Sequence, residues 1–306
     1  MASIFVQIAS YHDFELGKTL TDVLVKSSGK HDIYFGVHAC HYQTKEVHIP
    51  AIPNLSLLES YAPDNIGVGV SRSMANSLYD QQDYYLQIDS HTRMWRNWDE
   101  SLINCIEKYL SDGVAKPLLT TYPASYSYND SLKEDIEYSS DVTAISFAGN
   151  PGMFAKDMIP SQLAIVPDQG RKQRSISAGF VFTTGDFATI GFNEKIMFWG
   201  EEILLAAVAY TNGFDLLLPD RQYAYHLYFD HGAVFQKNMR RHIWKDFPDE
   251  YASKDAESKA EVIDIFTTRR QGYGALGYDR TLEKYGEYAG LDFNTRKIIL
   301  EEELSE

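Results

Sequence analysis

An aspartate and a histidine two positions apart, Asp89 and His91, close the run Tyr84-Tyr85-Leu86-Gln87-Ile88. The run is short, apolar and aromatic, as a buried strand is. It ends abruptly in Asp-Ser-His, and the polar, aromatic Arg93-Met94-Trp95-Arg96-Asn97-Trp98-Asp99 follows. On an extended chain residues i and i+2 point the same way, so the carboxylate and the imidazole can reach one divalent cation. Ligands of open α/β sheets gather outside the carboxyl ends of the strands. Asp89 and His91 are therefore expected to hold a metal, and the metal a diphosphate. Taken alone, the pair also suits an aspartate capping a turn beside a surface histidine.

The flanking elements must present that turn. Ile4-Phe5-Val6-Gln7-Ile8-Ala9 reads as a buried first strand, Glu15 to Lys26 as a helix with Leu16, Leu20, Val23 and Leu24 on one side, and Ile33 to Val37 as a second strand. Strand, helix, strand at this spacing is a βαβ unit and implies parallel pairing. Between Ser56 and Pro63 the pattern weakens, and Ile66 to Val70 leads through Ser71-Arg72-Ser73 into a helix. Trp98 to Leu110 reads as a helix, Pro117 to Tyr122 as a strand, and Tyr126 to Ser140 as a polar excursion at the sheet edge. After a basic loop (Arg171-Lys172-Gln173-Arg174) come Ser177 to Gly185, an apolar helix from Ile203 to Tyr210, a late strand Phe214 to Leu218, and Tyr223 to Phe229 carrying His226. From Lys237 onward the chain is charged and helical in tone. No repeat or Pro/Gly-rich linker divides it, so the reading is an α/β catalytic unit over 1–235 with a mainly helical extension, 236–306, packed on it.

Composition bounds the partners. With 44 % hydrophobic and 13 % aromatic residues the chain can bury a core, and its 21 tyrosines suit polar ligands. A net charge of −15 argues against a broad nucleic-acid-binding face while leaving room for an anion bound through a cation. Cys40 and Cys105 are too few for a disulfide framework, which fits a reduced compartment. No basic, apolar leader opens the chain, and no run approaches the roughly 18 apolar residues of a membrane span. A soluble, cytoplasmic location is expected. His31, His38, His41 and His48 crowd one stretch with Cys40, yet their spacings match no zinc template.

Six motifs in order carry a family resemblance: Ile8-Ala9-Ser10-Tyr11-His12-Asp13, Gln87-Ile88-Asp89-Ser90-His91-Thr92, Leu119-Thr120-Thr121-Tyr122-Pro123, Phe198-Trp199-Gly200-Glu201-Glu202, His226-Leu227-Tyr228, and Arg280 to Tyr285 with Gly290-Leu291-Asp292-Phe293. From about Ile4 to about Phe293 the chain resembles the GlcNAc-transferase family typified by the Skp1-hydroxyproline α-N-acetylglucosaminyltransferase. It is more distantly similar to the polypeptide GalNAc-transferases, which use Asp-Ser-His, an Ala-Gly segment, Trp-Gly-x-Glu and a later metal-binding His. The resemblance implies a GT-A fold, a Rossmann-like mixed sheet with flanking helices. It also implies a UDP-sugar donor, a divalent metal and a retaining transfer to a hydroxyl acceptor on a protein or glycan.

It implies site residues as well. Asp89, His91 and His226 would ligate the cation, and an imidazole-containing set tilts the choice from Mg2+ toward Mn2+. Ser10, Tyr11 and Asp13 would meet the nucleoside, Arg72 the uridine or a phosphate, and Ser90, Ala178, Gly179, Trp199 and Gly200 the rest of the donor. Of the two carboxylates, Glu201 is expected on the sugar hydroxyls and Glu202 near the acceptor. The chain departs from its relatives at His12, where many have Arg, and at Phe229-Asp230-His231, which lacks the immediate Arg among the basic residues that in relatives cover the diphosphate. Arg240 or Arg241, near Trp244, are the candidates to replace it. These departures leave open a second reading, a GT-A scaffold that binds a nucleotide sugar or glycan without transferring it. Sugar-nucleotide synthesis would require a Gly-rich basic first turn, which Ser10 to Asp13 is not.

Overall fold

The computed structural model describes residues 1–44, 47–129, 131, 133–148, 161–167, 172–228 and 241–299. Arg171, the segment Phe229-Asp230-His231, Arg240 and the first residues of the expected extension lie outside them.

Strands and helices alternate at the start: β1 (Ser3–Tyr11), α1 (Leu16–Val25), β2 (Asp32–His41), β3 (Leu55–Tyr61), α2 (Val68–Asn76), β4 (Tyr84–Asp89) and the short β5 (Thr92–Met94). Next come α3 (Trp98–Ser111), β6 (Pro117–Thr120) and the short strands β7 (Ala124–Ser125), β8 (Ser127–Tyr128) and β9 (Glu134–Asp135). β10 (Ala144–Ala148) pairs antiparallel with β11 (Ser161–Ile165). β12 (Phe180–Thr184), α4 (Glu201–Thr211), β13 (Asp215–Leu217) and β14 (Ala224–His226) follow. Last are α5 (Ile243–Asp246), α6 (Pro248–Thr268), α7 (Leu282–Ala289) and the pair β15 (Leu291–Asp292) and β16 (Lys297–Ile298).

One seven-stranded sheet runs in the order β13-β6-β12-β4-β1-β2-β3. It is mixed: β1, β2, β3 and β4 pair in parallel, as do β6 and β13, whereas β12 lies antiparallel between β4 and β6. Period-two alternation sorts its side chains into two cores. Ile4, Val6 and Ile8 of β1 pack with Leu86, Ile88 and Phe180 against α1 and α3, while Phe5, Tyr85 and Val181 pack against α4, α6 and α7. α4 carries no polar face: Ile203 to Ala209 are all buried, as befits a helix covered on every side. Trp98 plugs the first core with its indole N–H donating to the Val23 carbonyl, 2.9 Å. β3 is the strand that the weak pattern at Ser56–Pro63 concealed. At the sheet edge it is half exposed and shows no sustained apolar run.

Candidate active site

Two pairings bring the expected ligands together. β1 and β4 end side by side, Ala9 opposite Asp89, so the turns after both strands open at one sheet edge. A second small sheet, β5-β14-β7, pairs His226 with Thr92 across the strands, and the Leu227 N–H donates to the His91 carbonyl, 3.1 Å. The result is a cluster of Asp89, His91 and His226 whose ligand atoms all lie within 4.8 Å of one another. Asp89 Oδ2 accepts from His226 Nε2 at 3.1 Å, and the two imidazole rings stand edge to face at 4.3 Å.

Hydrogen bonds behind these groups fix how they face. His91 Nδ1 donates to Asp13 Oδ2 at 2.7 Å, and Ser90 Oγ donates to the same oxygen at 2.7 Å. Asp13 Oδ1 accepts from the Glu15 N–H, 2.9 Å. Burial works against ionisation of Asp13, but the charge and hydrogen bond of His91 and the donors from Glu15 and Ser90 outweigh it and hold the carboxyl below its ordinary range. An ionised carboxylate can only accept, so the neutral form of His91 is the tautomer with its proton on Nδ1 and a bare Nε2. Asp89 is treated alike: burial opposes ionisation, and His226, Arg72 and His91 together overcome it.

Arg72 lies beneath this site. Nη2 donates to Asp89 Oδ1 (2.7 Å) and the Ala178 carbonyl (3.1 Å), Nη1 to the Ile88 carbonyl (3.0 Å) and Gln7 Oε1 (3.3 Å), and Nε to Glu201 Oε1 (3.4 Å). Every nitrogen is spent on the protein, and the residue is 1 % exposed. Gln7 and Gln87, directly opposite each other on β1 and β4, support it: Gln7 donates to the Arg72 carbonyl and Gln87 to that of Ala178. Neither glutamine stood out in the sequence, although an amide inside an otherwise apolar strand is a signal that it has a buried partner.

The two carboxylates of the Trp-Gly segment diverge. Gly200 takes φ 91°, a left-handed conformation open to glycine, and turns the chain into α4. Glu201 reaches back to Arg72, whereas Glu202 accepts from the Ala178 N–H at 3.0 Å and lines the main cavity. Trp-Gly-x-Glu, counted along this chain, ends at Glu202. Burial pushes Glu201 up to about 7, with Arg72 opposing and Asp89 adding to the rise. Burial pushes Glu202 up to about 8, with the Ala178 N–H opposing and the charges of Glu201 and Asp89 adding.

The cavity, about 440 Å³, runs from Ser10, Tyr11, Asn65 and Ser71 past Asp89, His91 and His226 to Tyr122, Glu202 and Tyr228. Asp13, Ser90 and Gly179 border it too. A Cβ on Gly179 would stand 3.1 Å from Asp89 Oδ2 and 3.8 Å from the His226 ring, so the missing side chain keeps space open between two ligands. Ala178 serves through its backbone, and Trp199 is 55 % exposed next to Phe198. The Tyr11 hydroxyl donates to Asp246 Oδ2 (2.9 Å), which also holds Arg241. Arg241 and Trp244 both line the cavity. The histidines crowded around the second strand do not converge: His38 bridges Ser60 and Ser71, His41 meets Glu59, and His31, just before the strand, accepts from the Ala2 N–H. Among the described residues the metal-capable cluster contains none of them. No helix among these residues is long and apolar enough to cross a membrane.

The crystal structure of GalNAc-T7 with UDP, GalNAc and Mn2+ superposes with a TM-score of 0.54 at 12 % identity, over 96 % of this chain and 49 % of that one. The chain thus spans about half the length of that protein. Structures of S. aureus TarS are also similar: one matches with TM-score 0.45 and 11 % identity over 95 % of this chain and 42 % of the other. TarS 1–349 in complex with UDP-GlcNAc matches with 0.44 and 12 % over 97 % and 72 %. No curated protein sequence matches. The fold is GT-A, a mixed α/β sheet with flanking helices. The family description "Glycosyltransferase (GlcNAc)" fits residues 3–55 and 62–295, nearly the whole chain, and the protein belongs to that GlcNAc glycosyltransferase family.

Proposed function

We propose that the chain is a divalent-metal-dependent, retaining glycosyltransferase that moves a sugar, GlcNAc first among candidates, from a UDP-sugar to a hydroxyl. The observation that carries this reading is the convergence of Asp89, His91 and His226 on one point of the cavity wall. The donor set fits a hard-to-borderline cation: one carboxylate, an imidazole whose Nδ1–H is directed at Asp13, a second imidazole, and a glycine leaving the space free. Held there, Mn2+ or Mg2+ supplies a Lewis acid that neutralises charge on the departing diphosphate. GalNAc-T7, solved with UDP, GalNAc and Mn2+, supports both the donor class and the metal.

The chain's own residues then have separate tasks. Arg72 fixes Asp89 through Oδ1 so that Oδ2 faces the imidazoles, and Asp13 does the same for His91. Arg72 and Asp13 thus act through the ligands rather than on the nucleotide. Ser10 and Tyr11 border the nucleoside end. Glu202, not Glu201, faces the sugar, and Glu201 serves Arg72. Transfer proceeds on one face: the bond from the anomeric carbon to the β-phosphate oxygen breaks, the bond to the acceptor oxygen forms, and the acceptor proton passes to the departing phosphate. In this reading residues 1–235 form the catalytic unit, and Arg241, His242, Ile243 and Trp244 of the extension line the same cavity. The motif order shared with the Skp1-hydroxyproline enzymes makes a protein hydroxyl one acceptor class to try.

A panel of UDP-sugars with Mn2+, read as UDP release, names the donor without knowledge of the acceptor. Hydrolysis of one donor, lost in Asp89→Ala, is the expected result. Metal-dependent UDP binding with no release from any donor and acceptor mixture would identify a binding protein instead, and full activity of Asp89→Ala would overturn the metal assignment.

A further inference from the structure

We propose that Thr19, in the middle of α1, is a positioning residue for the metal-binding turn. The inference rests on the reading of Asp89, His91 and His226 as metal ligands. A helical threonine ordinarily turns its hydroxyl back to the carbonyl four residues earlier, and Thr21 does so, donating to the Gly17 carbonyl at 2.9 Å. Thr19 does not. Its Oγ1 donates to the Ser90 carbonyl at 2.7 Å and accepts from the Thr92 N–H at 3.0 Å, so one hydroxyl binds the backbone on both sides of His91. The residue is wholly buried.

One other backbone anchor acts there, the Leu227 N–H on the His91 carbonyl at 3.1 Å, which leaves the Ser90 carbonyl and the Thr92 N–H to Thr19. β4 stops at Asp89 and β5 starts at Thr92, so Ser90 and His91 fall outside both ladders. α1 stands in as the hydrogen-bonding partner down this stretch. After the Thr19 bracket, Asp22 Oδ2 accepts from the Met94 N–H (2.7 Å) and the Lys26 carbonyl from the Asn97 N–H (2.7 Å). Arg93 Nη1 also donates to Thr19 Oγ1 at 3.3 Å, and the Arg93 side chain is pinned in turn by Glu15 and Glu134. With both peptide planes flanking His91 fixed, its Cα–Cβ vector is fixed. Asp13 then needs only to set the ring rotation. Thr19 orients the ligand's backbone and Asp13 its imidazole; loss of the first should loosen the site with the second intact.

The test is Mn2+ affinity of the full-length protein without nucleotide, by calorimetry or by the electron-paramagnetic signal of free Mn2+, beside thermal melts. Thr19→Val keeps the shape and removes the hydroxyl; binding is expected to weaken about 10- to 100-fold, the range for loss of groups that orient metal ligands. Thr19→Ser restores the hydroxyl and is expected to bind as the parent does. Should the valine variant melt below assay temperature, Thr19→Ala against Thr19→Ser makes the same comparison at similar side-chain volume. Parent-like affinity in the valine or alanine variant, with a lowered melting temperature alone, would reduce Thr19 to a packing residue and overturn the proposal. Failure of the parent itself to bind Mn2+, or binding undiminished in Asp89→Ala, would instead refute the metal reading beneath it.

Discussion

Asp13→Asn is expected to harm metal binding more than Asp13→Ala, an inversion that follows from who donates to whom. Asp13 Oδ1 accepts from the Glu15 N–H (2.9 Å), so an asparagine must place its carbonyl oxygen there. Its amide nitrogen then occupies the Oδ2 position, 2.7 Å from His91 Nδ1, and donates where the carboxylate accepted. His91 is driven to the opposite tautomer, with its proton on Nε2, the nitrogen meant for the cation. Flipping the amide to rescue the ring sets its N–H₂ against the Glu15 N–H and strands buried donors, at about 1–3 kcal/mol each. A net penalty of about 2–4 kcal/mol corresponds to roughly 30- to 1,000-fold in affinity at 1.36 kcal/mol per decade. Alanine lacks the wrong donor and leaves His91 free to choose, so its loss should fall within the roughly 10- to 100-fold typical of an absent ligand-orienting partner. Calorimetric titration with Mn2+ in parent and both variants, with UDP release as a second readout, decides it. An asparagine variant that binds Mn2+ as well as the alanine variant, or better, refutes the tautomer argument.

Gly179→Ala puts a methyl 3.1 Å from Asp89 Oδ2; crowding of about 1–3 kcal/mol is expected to lower Mn2+ affinity roughly 5- to 160-fold while the far-ultraviolet dichroism stays unchanged. Glu202 has a folded-state value near 8 against 4.5 for the free side chain, so its contribution to stability is complete below about 4.5 and is lost as pH rises toward 8. Thermal melts of the metal-free protein across pH 5 to 8.5 should show that fall, and a curve no flatter in Glu202→Gln would contradict it. Arg72→Lys keeps the charge but cannot serve five acceptors at fixed angles; UDP release is expected to drop at least tenfold, whereas a parent-like rate would show that the fork is dispensable.

How much of this was legible in the sequence depended on whether a residue's neighbours in space were also its neighbours in the chain. The β1-α1-β2 opening, the helix from Trp98 and the Asp-Ser-His turn could be read because each rests on local periodicity or an abrupt break in it. β3 escaped because an edge strand needs apolar residues on fewer sides. Asp13 and Arg72 look like ligand-binding residues when seen one at a time; only the fold shows Asp13 taken up by Ser90, His91 and the Glu15 N–H, and Arg72 by five acceptors on four elements or loops. Glu201 and Glu202 are adjacent and chemically identical, and the choice between them turns on which way the first turn of α4 rotates after Gly200. Thr19 carried no signal at all, since a buried threonine on an apolar helix face resembles any other packing residue.

His226 meets Asp89 from 137 positions further along the chain, delivered by a three-residue strand. During synthesis the first two ligands leave the ribosome well before the third, and a polypeptide halted anywhere short of β14 has a two-pronged claw with no grip. On the proposed metal reading, binding of an ion would serve as a certificate of completion: it would reward only those molecules in which the small sheet carrying β14 has closed over the early turn, and would draw the remainder toward that state by mass action.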